Sequence, residues 1–492
     1  MRQLSKSKII AFRQCPKRLW LELHKPELRD DSGSEIVFAI GNQVGDVARQ
    51  IYDTAGDGKL IDINEIGWDA AYSETSTWLA DTQAPLFEAA LRIEGALALA
   101  DVMLPEASDT GLRWHMLEVK SSTGVKDYHR EDLAVQTYIA TQAGIDLASA
   151  SLAHVDNSFV YQGDGDYRGL LKAVDLSEDS RAMTDEVATW IAEAQEVAAL
   201  TSEPEIETGP QCSSPFDCPF RHHCDRHMPS SDFPLSSFHR LGAKKRDELE
   251  ALGYHDIREI PNEMLSAVNQ RIKKQSVAGE AWFDAEGAAA DLAPHTGTAY
   301  FLDFETIAFG VPIWKGTRPY EQLPFQFSLH IVPEAGAMEH REFLDLSGED
   351  PGEAFAKALI EHCGTSGPVF VYNASFEKGV MRGLAKRFPL LGPDLQSIID
   401  RVVDLLPIAR NRYYHPDQHG SWSIKAVLPA VCPDLTYCSL DGVQDGQAAQ
   451  LAFLEAIAPE AAPERKAEIK QQLLAYCELD TLAMVRLWEF FV

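Results

Sequence analysis

Three acidic fragments toward the C-terminus have the residue types of a metal-dependent hydrolase. They are Leu302-Asp303-Phe304-Glu305-Thr306, Asn373-Ala374-Ser375-Phe376-Glu377 and Tyr476-Cys477-Glu478-Leu479-Asp480. Among their side chains, the carboxylates of Asp303, Glu305, Glu377 and Asp480 and the phenol of Tyr476 form the candidate ligand set. Mg²⁺ and Mn²⁺ are hard cations that prefer oxygen, and a pair of them about 4 Å apart needs this density of ligands to cleave a phosphodiester. The Tyr476 hydroxyl is available to orient an attacking water. The pattern predicts a nuclease.

The surrounding residues predict elements that can position these groups. Tyr300 to Glu305 reads as a short aromatic and apolar strand, which places Asp303 and Glu305, two apart, on one face. Val369 to Tyr372 reads as a second strand running into Asn373, with Glu377 on the first turn of the helix that follows. From Lys466 to Phe491 the apolar residues Ile469, Leu473, Tyr476, Met484 and Leu487 recur at helical spacing. Tyr476 and Asp480 are four apart and share a face of that helix.

The fragments resemble the DEDD exonucleases of the RNase H-like superfamily, in the branch whose third motif is Tyr-x-x-x-Asp. The resemblance covers about residues 296–492. It implies an RNase H-like α/β domain over 293–492 and 3′-5′ exonuclease chemistry. Asp303, Glu305, Glu377 and Asp480 would be the Mg²⁺ or Mn²⁺ ligands, and Tyr476 would position water. Glu377 stands where that family usually has Asp.

A second constellation lies in the N-terminal half. Asp101 sits in the apolar run Ala96 to Met103, and the strand-like stretch Trp114 to Lys120 carries Glu118 and Lys120 on one face. Carboxylates placed this way can hold a metal while the ammonium steadies the nucleophile or the developing phosphorane charge. Cysteines flank this region: Cys15 upstream, and Cys212, Cys218 and Cys224 downstream among Pro215, Pro219, His222 and His223. Four thiolates suit an iron–sulfur cluster, and three with His223 or His227 suit zinc. Buried thiols without a metal are the third reading. Cys363, Cys432, Cys438 and Cys477 read as small packed hydrophobes.

One Cys before and three after an Asp…Glu-x-Lys core resembles the RecB-type, PD-(D/E)XK nucleases with an iron–sulfur staple, including CRISPR-associated members. The resemblance implies a restriction-endonuclease-type α/β core over residues 1–230. Asp101 and Glu118 would hold metal, Lys120 would be catalytic, Gln136 would lie on the following helix, and a 4Fe-4S cluster would tie the chain ends. Two departures stand out: Gly45 follows Gly41-Asn42-Gln43-Val44 where the family often has His, and Tyr138 is only two residues from Gln136.

Length predicts two to four domains, with boundaries at Met228-Pro229-Ser230-Ser231 and around Ala288-Ala289-Ala290-Asp291. Residues 231–292 read as a small helix-hairpin-helix-like linker: a helix from Leu235, a Gly242 turn, a second helix, then Gly253-Tyr254 and another start at Asp256. Lys244 and Lys245 beside a helix N-terminus would suit a nucleic-acid phosphate. The whole reads as a multi-domain α/β protein, and the joined arrangement resembles a bacterial family of RecB-like nucleases.

The formal net charge of −31 argues against a strong sequence-independent grip on long duplex. It leaves room for an enzyme acting at ends, with single-stranded DNA favoured and RNA open. Basic residues gather near Arg2 to Lys25, Arg221 to Arg226, Arg240 to Arg246 and Arg271 to Lys274, the candidate nucleic-acid path. Few cysteines and no apolar segment before Cys15 predict a cytoplasmic protein, and no stretch approaches a membrane span. Helicase or repair partners are left unspecified. Two other functions fit: a nucleic-acid-binding scaffold that has lost turnover, and a zinc-stapled regulator of protein partners.

Overall fold

The computed structural model describes residues 1–31, 35–109, 111–226 and 231–492. It is a mixed α/β protein that divides into two compact units. The first comprises Met1–Pro229 with Phe309–Tyr320, and the second Ser230–Ala308 with Glu321–Val492. Of the expected first boundary, 228–230 lie outside the described residues, as does His227. No described helix is long and apolar enough to cross a membrane.

The first unit is built on a seven-stranded sheet. Its strands are β1 (Leu4–Ser5), β2 (Lys59–Leu60), β3 (Leu86–Ile93), β4 (Ala96–Ser108), β5 (Gly111–Lys120), β6 (Leu147–Val155) and β7 (Leu171–Asp175). They run in the order β2-β3-β4-β5-β6-β7, with β1 added parallel to β4. Along β4 the buried positions Ala96, Ala98 and Ala100 alternate with half-buried ones that include Asp101. The small side chains let the helix Asp127–Gln142 lie close to the sheet, its Leu133, Val135 and Ile139 entering the same core.

Two hydrogen bonds tie the N-terminal helices to the later part of this unit. Helix Lys6–Gln14 ends at Cys15, which also opens helix Pro16–His24. The buried Gln14 amide donates to the carbonyls of Gln211 and Phe216 at 2.8 and 2.6 Å, fastening the downstream cysteine segment beside Cys15.

In the second unit, β8 (Trp282–Phe283) pairs with β14 (Tyr413–Tyr414), and five strands form the main sheet. These are β9 (Ala299–Ile307), β10 (Leu323–Val332), β11 (Glu339–Leu344), β12 (Val369–Val371) and β13 (Val402–Asp404), in the order β11-β10-β9-β12-β13. β10 is antiparallel to its neighbours, and β12 and β13 continue parallel to β9. Leu302 and Phe304 point into one core layer with Phe327 and Phe355. Phe301, on the opposite face with Asp303 and Glu305, packs with Met484 of the 29-residue helix Pro463–Phe491. That face is where the acidic fragments meet.

Several expectations are corrected here. Residues 231–292 have no core of their own, because Leu249, Ile257 and Ile272 join the cluster that holds Phe301, Tyr414 and Met484. No boundary falls around Ala288 to Asp291: the Ala-rich stretch is the helix Ala285–Leu292, capped by Asp284 and buried through Ala288 and Leu292, inside the second unit. The helix expected from Leu235 is a single 3₁₀ turn, Leu235–Ser237. None starts at Asp256, whose carboxylate instead takes the Arg258 backbone N–H at 2.7 Å and the Arg258 guanidinium, a local turn that competes with helix. The next helix begins at Ala267, capped by Ser266. Finally, Phe309–Tyr320 belongs to the first unit, although it connects β9 to β10.

Candidate functional site

The second unit brings the C-terminal carboxylates together. Asp303 and Glu305 project from β9 toward the C-terminal helix, and one oxygen from each lies within 4.8 Å of the other and of one on Asp480. Glu377 enters from the first turn of helix Ala374–Arg387, 3 % exposed, with its Oε2 buried and unpartnered. Burial and the mutual repulsion of Asp303, Asp480, Glu305 and Glu377 push the Asp303 carboxyl well above its usual range. Burial likewise raises Glu305 and Glu377 to about 8, and Asp480 to about 6. A group of buried acids held this close lacks positive charge, and the orphaned Glu377 oxygen lacks a partner. Hard divalent cations fit both deficits.

Tyr476 is buried at 5 % exposure, one turn before Asp480. Three neighbours were not singled out in the sequence. Tyr437 donates its hydroxyl to Asp480 Oδ1 at 2.5 Å. Lys425 lies 4.8 Å from the centre of the Tyr476 ring and 5.0 Å from that of Tyr437, and its charge favours the ionised forms of Glu305 and Asp480. Asp404, at the end of β13, accepts the backbone N–H groups of Asn373 and Ala374 and so fixes the turn leading to Glu377. None of the three carries a local signal, because each is brought in by tertiary placement: Asp404 by the sheet order, Lys425 from the helix Ile424–Val431 and Tyr437 from a 3₁₀ turn. Cys477 is buried with its thiol 3.9 Å from Asp303 Oδ2, whereas Cys438 is exposed and does not pack as expected.

The first unit holds a second centre. Glu118 and Lys120 leave β5 on one side of the sheet, and Asp101 Oδ2 accepts the Val119 N–H at 2.6 Å where the β4–β5 ladder ends. Lys120 Nζ bridges Glu118 Oε1 at 2.7 Å and Asp132 Oδ2 at 2.5 Å. Lys6, at the start of its helix, reaches Glu118 at 2.6 Å. Burial alone would protonate Asp132, but Lys6 and Lys120 hold it well below the usual carboxylate range. Asp101 has no such direct partner, and burial with the Glu118 charge raises it to about 8.

Glu88 also belongs to this centre. It lies opposite Asp101, between the register pairs Phe87↔Val102 and Ala89↔Ala100, with a left-handed φ of 55°. With Gly41, Asn42, Gly45 and Asp101 it lines a cavity of about 380 Å³. Glu118 Oε2 is buried and unpartnered. Four carboxylates against two ammonium groups leave a negative balance, so this donor set also fits a divalent cation. Gln136 is fully buried on the 127–142 helix, its amide donating to Leu99 O at 2.6 Å, which fastens that helix to β4.

Cys15, Cys212, Cys218 and Cys224 lie near one another, all as free thiols. Burial lifts Cys224 to about 11 despite nearby Lys17, and the other three thiols add to the shift. Tetrahedral zinc with Zn–S near 2.3 Å would hold sulfurs about 3.8 Å apart. Among the described residues the thiols form no group within 4.8 Å, and His223 Nε2 is engaged by Glu203 at 3.1 Å.

The basic segments divide. Lys6, Lys8, Lys17, Arg18 and Lys25 are spent on internal ion pairs with Glu118, Glu22 and Glu203, so the N-terminal stretch is not a free basic path. Lys244 is exposed, while Lys245 pairs with Glu248 at 3.2 Å. Arg258, Arg271, Lys273 and Lys274 line a pocket of about 780 Å³ that includes Trp282 and no acidic side chain.

A family described as Domain of unknown function (DUF2779) matches residues 300–423, which span β9 to the loop before Lys425 and include Asp303, Glu305 and Glu377. Comparison with curated proteins returned no match.

Proposed function

We propose that this chain is a metal-dependent nuclease that hydrolyses phosphodiester bonds, acting as an exonuclease at the Asp303 centre. The observation that carries the proposal is the convergence of Asp303, Glu305 and Asp480 within 4.8 Å, beside the orphaned Glu377 oxygen. Those four residues would hold Mg²⁺ or Mn²⁺. When bound, such cations supply Lewis-acid stabilisation of the charge that develops as the phosphodiester is attacked.

The chain's own groups do the rest. Tyr437 fixes Asp480 by its hydrogen bond. The Tyr476 hydroxyl, held protonated by burial and the surrounding carboxylates, orients the attacking water. Lys425 offers positive charge beside the two phenols, where a substrate phosphate would enter. Trp282 with Arg271 stacked 4.2 Å over its ring gives an aromatic and cationic surface suited to a single strand, DNA foremost.

At the other centre Asp101, Glu118 and Glu88 would hold metal and Lys120 would steady the phosphorane. The seven-stranded sheet and its cysteine staple support a RecB-like reading, and the carboxylate-bearing central strand of the five-stranded sheet supports an RNase H-like one. Cys15, Cys212, Cys218 and Cys224 would carry a 4Fe-4S cluster, in keeping with a cytoplasmic protein.

The test is digestion of end-labelled single-stranded DNA and RNA by anaerobically purified protein with Mn²⁺. Asp303→Asn is expected to lower stepwise nucleotide release by about a hundredfold or more, and Lys120→Ala to remove a separable activity. Unchanged digestion by the double variant would overturn the proposal, and no digestion by wild type would leave a nucleic-acid-binding scaffold.

A further inference from the structure

The helix that carries Tyr476 and Asp480 has another chemically marked edge. His330 on β10 and His340 on β11 are direct cross-strand partners, and their rings lie 4.6 Å apart between centroids. Glu478 reaches them from the helix, its Oε1 3.9 Å from His340 Nδ1. One ring nitrogen from each histidine and one Glu478 oxygen all fall within 4.8 Å of one another.

Hydroxyl groups hold the other side of both rings. His330 Nδ1 is 2.8 Å from Thr481 Oγ1, and His340 Nε2 is 2.9 Å from Ser328 Oγ. Ser328 and Thr481 are themselves 2.7 Å apart, and Thr481 Oγ1 lies 3.0 Å from the Glu478 carbonyl. A single proton arrangement satisfies the whole chain. His340 donates to Ser328, Ser328 and His330 donate to Thr481, and Thr481 donates to its own helix carbonyl. Each imidazole is then a neutral tautomer with the remaining nitrogen's lone pair uncommitted. Such outer hydrogen bonds are what orient metal-binding histidines.

We propose that His330, His340 and Glu478 form a third metal site, separate from both carboxylate centres, for a borderline transition ion of which Zn²⁺ is the type. Two imidazoles and one carboxylate suit such an ion better than Mg²⁺, which takes oxygen almost alone. The site is open to solvent, since Glu478 is half exposed and His340 lies on the edge hairpin. Three protein ligands leave a coordination position for water. The ion would join the β10–β11 hairpin to the helix, with Glu478 only two residues from Asp480 and Ser328 in register with Asp303. Its role is to hold that helix against the sheet.

The test uses the full chain, stripped by chelator and titrated with Zn²⁺, and with Co²⁺ for its absorption spectrum, beside His340→Ala and Glu478→Gln. Both substitutions fall at solvent-accessible side chains. Wild type is expected to bind one more equivalent of Zn²⁺ than His340→Ala, and Glu478→Gln to weaken that equivalent about tenfold or more. The wild-type minus His340→Ala Co²⁺ spectrum should lack the intense thiolate band that the cysteine cluster would give. Equal stoichiometry and affinity in wild type and His340→Ala would overturn the proposal, as would a thiolate band in the difference spectrum.

Discussion

The Asp303 centre is costly to the fold that builds it. A carboxyl whose pKa is raised in the folded state is fully tolerated below its unfolded value and becomes a penalty as pH rises toward the folded value. Glu305 therefore weighs against stability between about 4.5 and about 8. His330 and His129, both held near 4 largely by burial, also cost stability, but as pH falls rather than rises, so wild type alone would not isolate the effect. The comparison that does is Glu305→Gln against wild type without metal. The variant's advantage should be small at pH 5 and grow to on the order of 3 kcal/mol at pH 8, read by chemical denaturation. Saturating Mn²⁺ should reverse the ranking, because only wild type keeps the full ligand set. A pH-independent difference would show that burial and its neighbours do not raise the Glu305 carboxyl.

At the scale of elements, Gln14 is the side chain that hydrogen-bonds the backbone of the 211–224 segment from beside Cys15. Gln14→Ala removes two hydrogen bonds to carbonyls of that segment, and should destabilise the first unit by about 1–3 kcal/mol, with faster proteolysis between residues 211 and 216. Unchanged denaturation and proteolysis would mean that the cysteine segment holds itself. The elements that read well in the sequence were those with strong periodicity. The strand expected at Tyr300–Glu305 is Ala299–Ile307, and the helix expected at Lys466–Phe491 is Pro463–Phe491. That is why Asp303, Glu305, Tyr476 and Asp480 could be assigned faces in advance. Partners set by tertiary placement could not. Tyr437 sits on a 3₁₀ turn, and Glu88 reaches Asp101 only through strand pairing. Residues 231–292 misled because Gly and Asp spacing marks turns whether or not helices flank them, and because nothing local reveals that Leu249 and Ile272 share a core with Met484 and Tyr414.

The molecule as a whole is not divided at one point along its chain. The loop Phe309–Tyr320 leaves β9 just after the residues that bear its carboxylates, and it completes the first unit. Val311 is buried with Val44, Val155 and Leu170, and Tyr161 exchanges backbone hydrogen bonds with Thr317 and Gly316 at 3.0 and 2.8 Å. The Tyr320 hydroxyl donates to the Ser121 carbonyl, next to Lys120. Val311→Ala, although it lies in the latter half of the sequence, should lower the stability of the first unit by about 2 kcal/mol. Hydrogen exchange resolves the two units: faster exchange in β5 and β6 is expected, with β10 and β12 unchanged. The opposite pattern would assign the loop to the second unit.

That borrowed loop also sets a timetable. A ribosome releases the first 229 residues long before Tyr320, roughly 90 residues later, which at about 5–20 residues per second is a delay of roughly 5 to 20 seconds. For most of that interval the nascent first unit lacks both Val311 and Tyr320, so the contacts they make with Val44, Val155 and Ser121 wait for the loop. Its completion must wait until β9, with both of its carboxylates, has already been made.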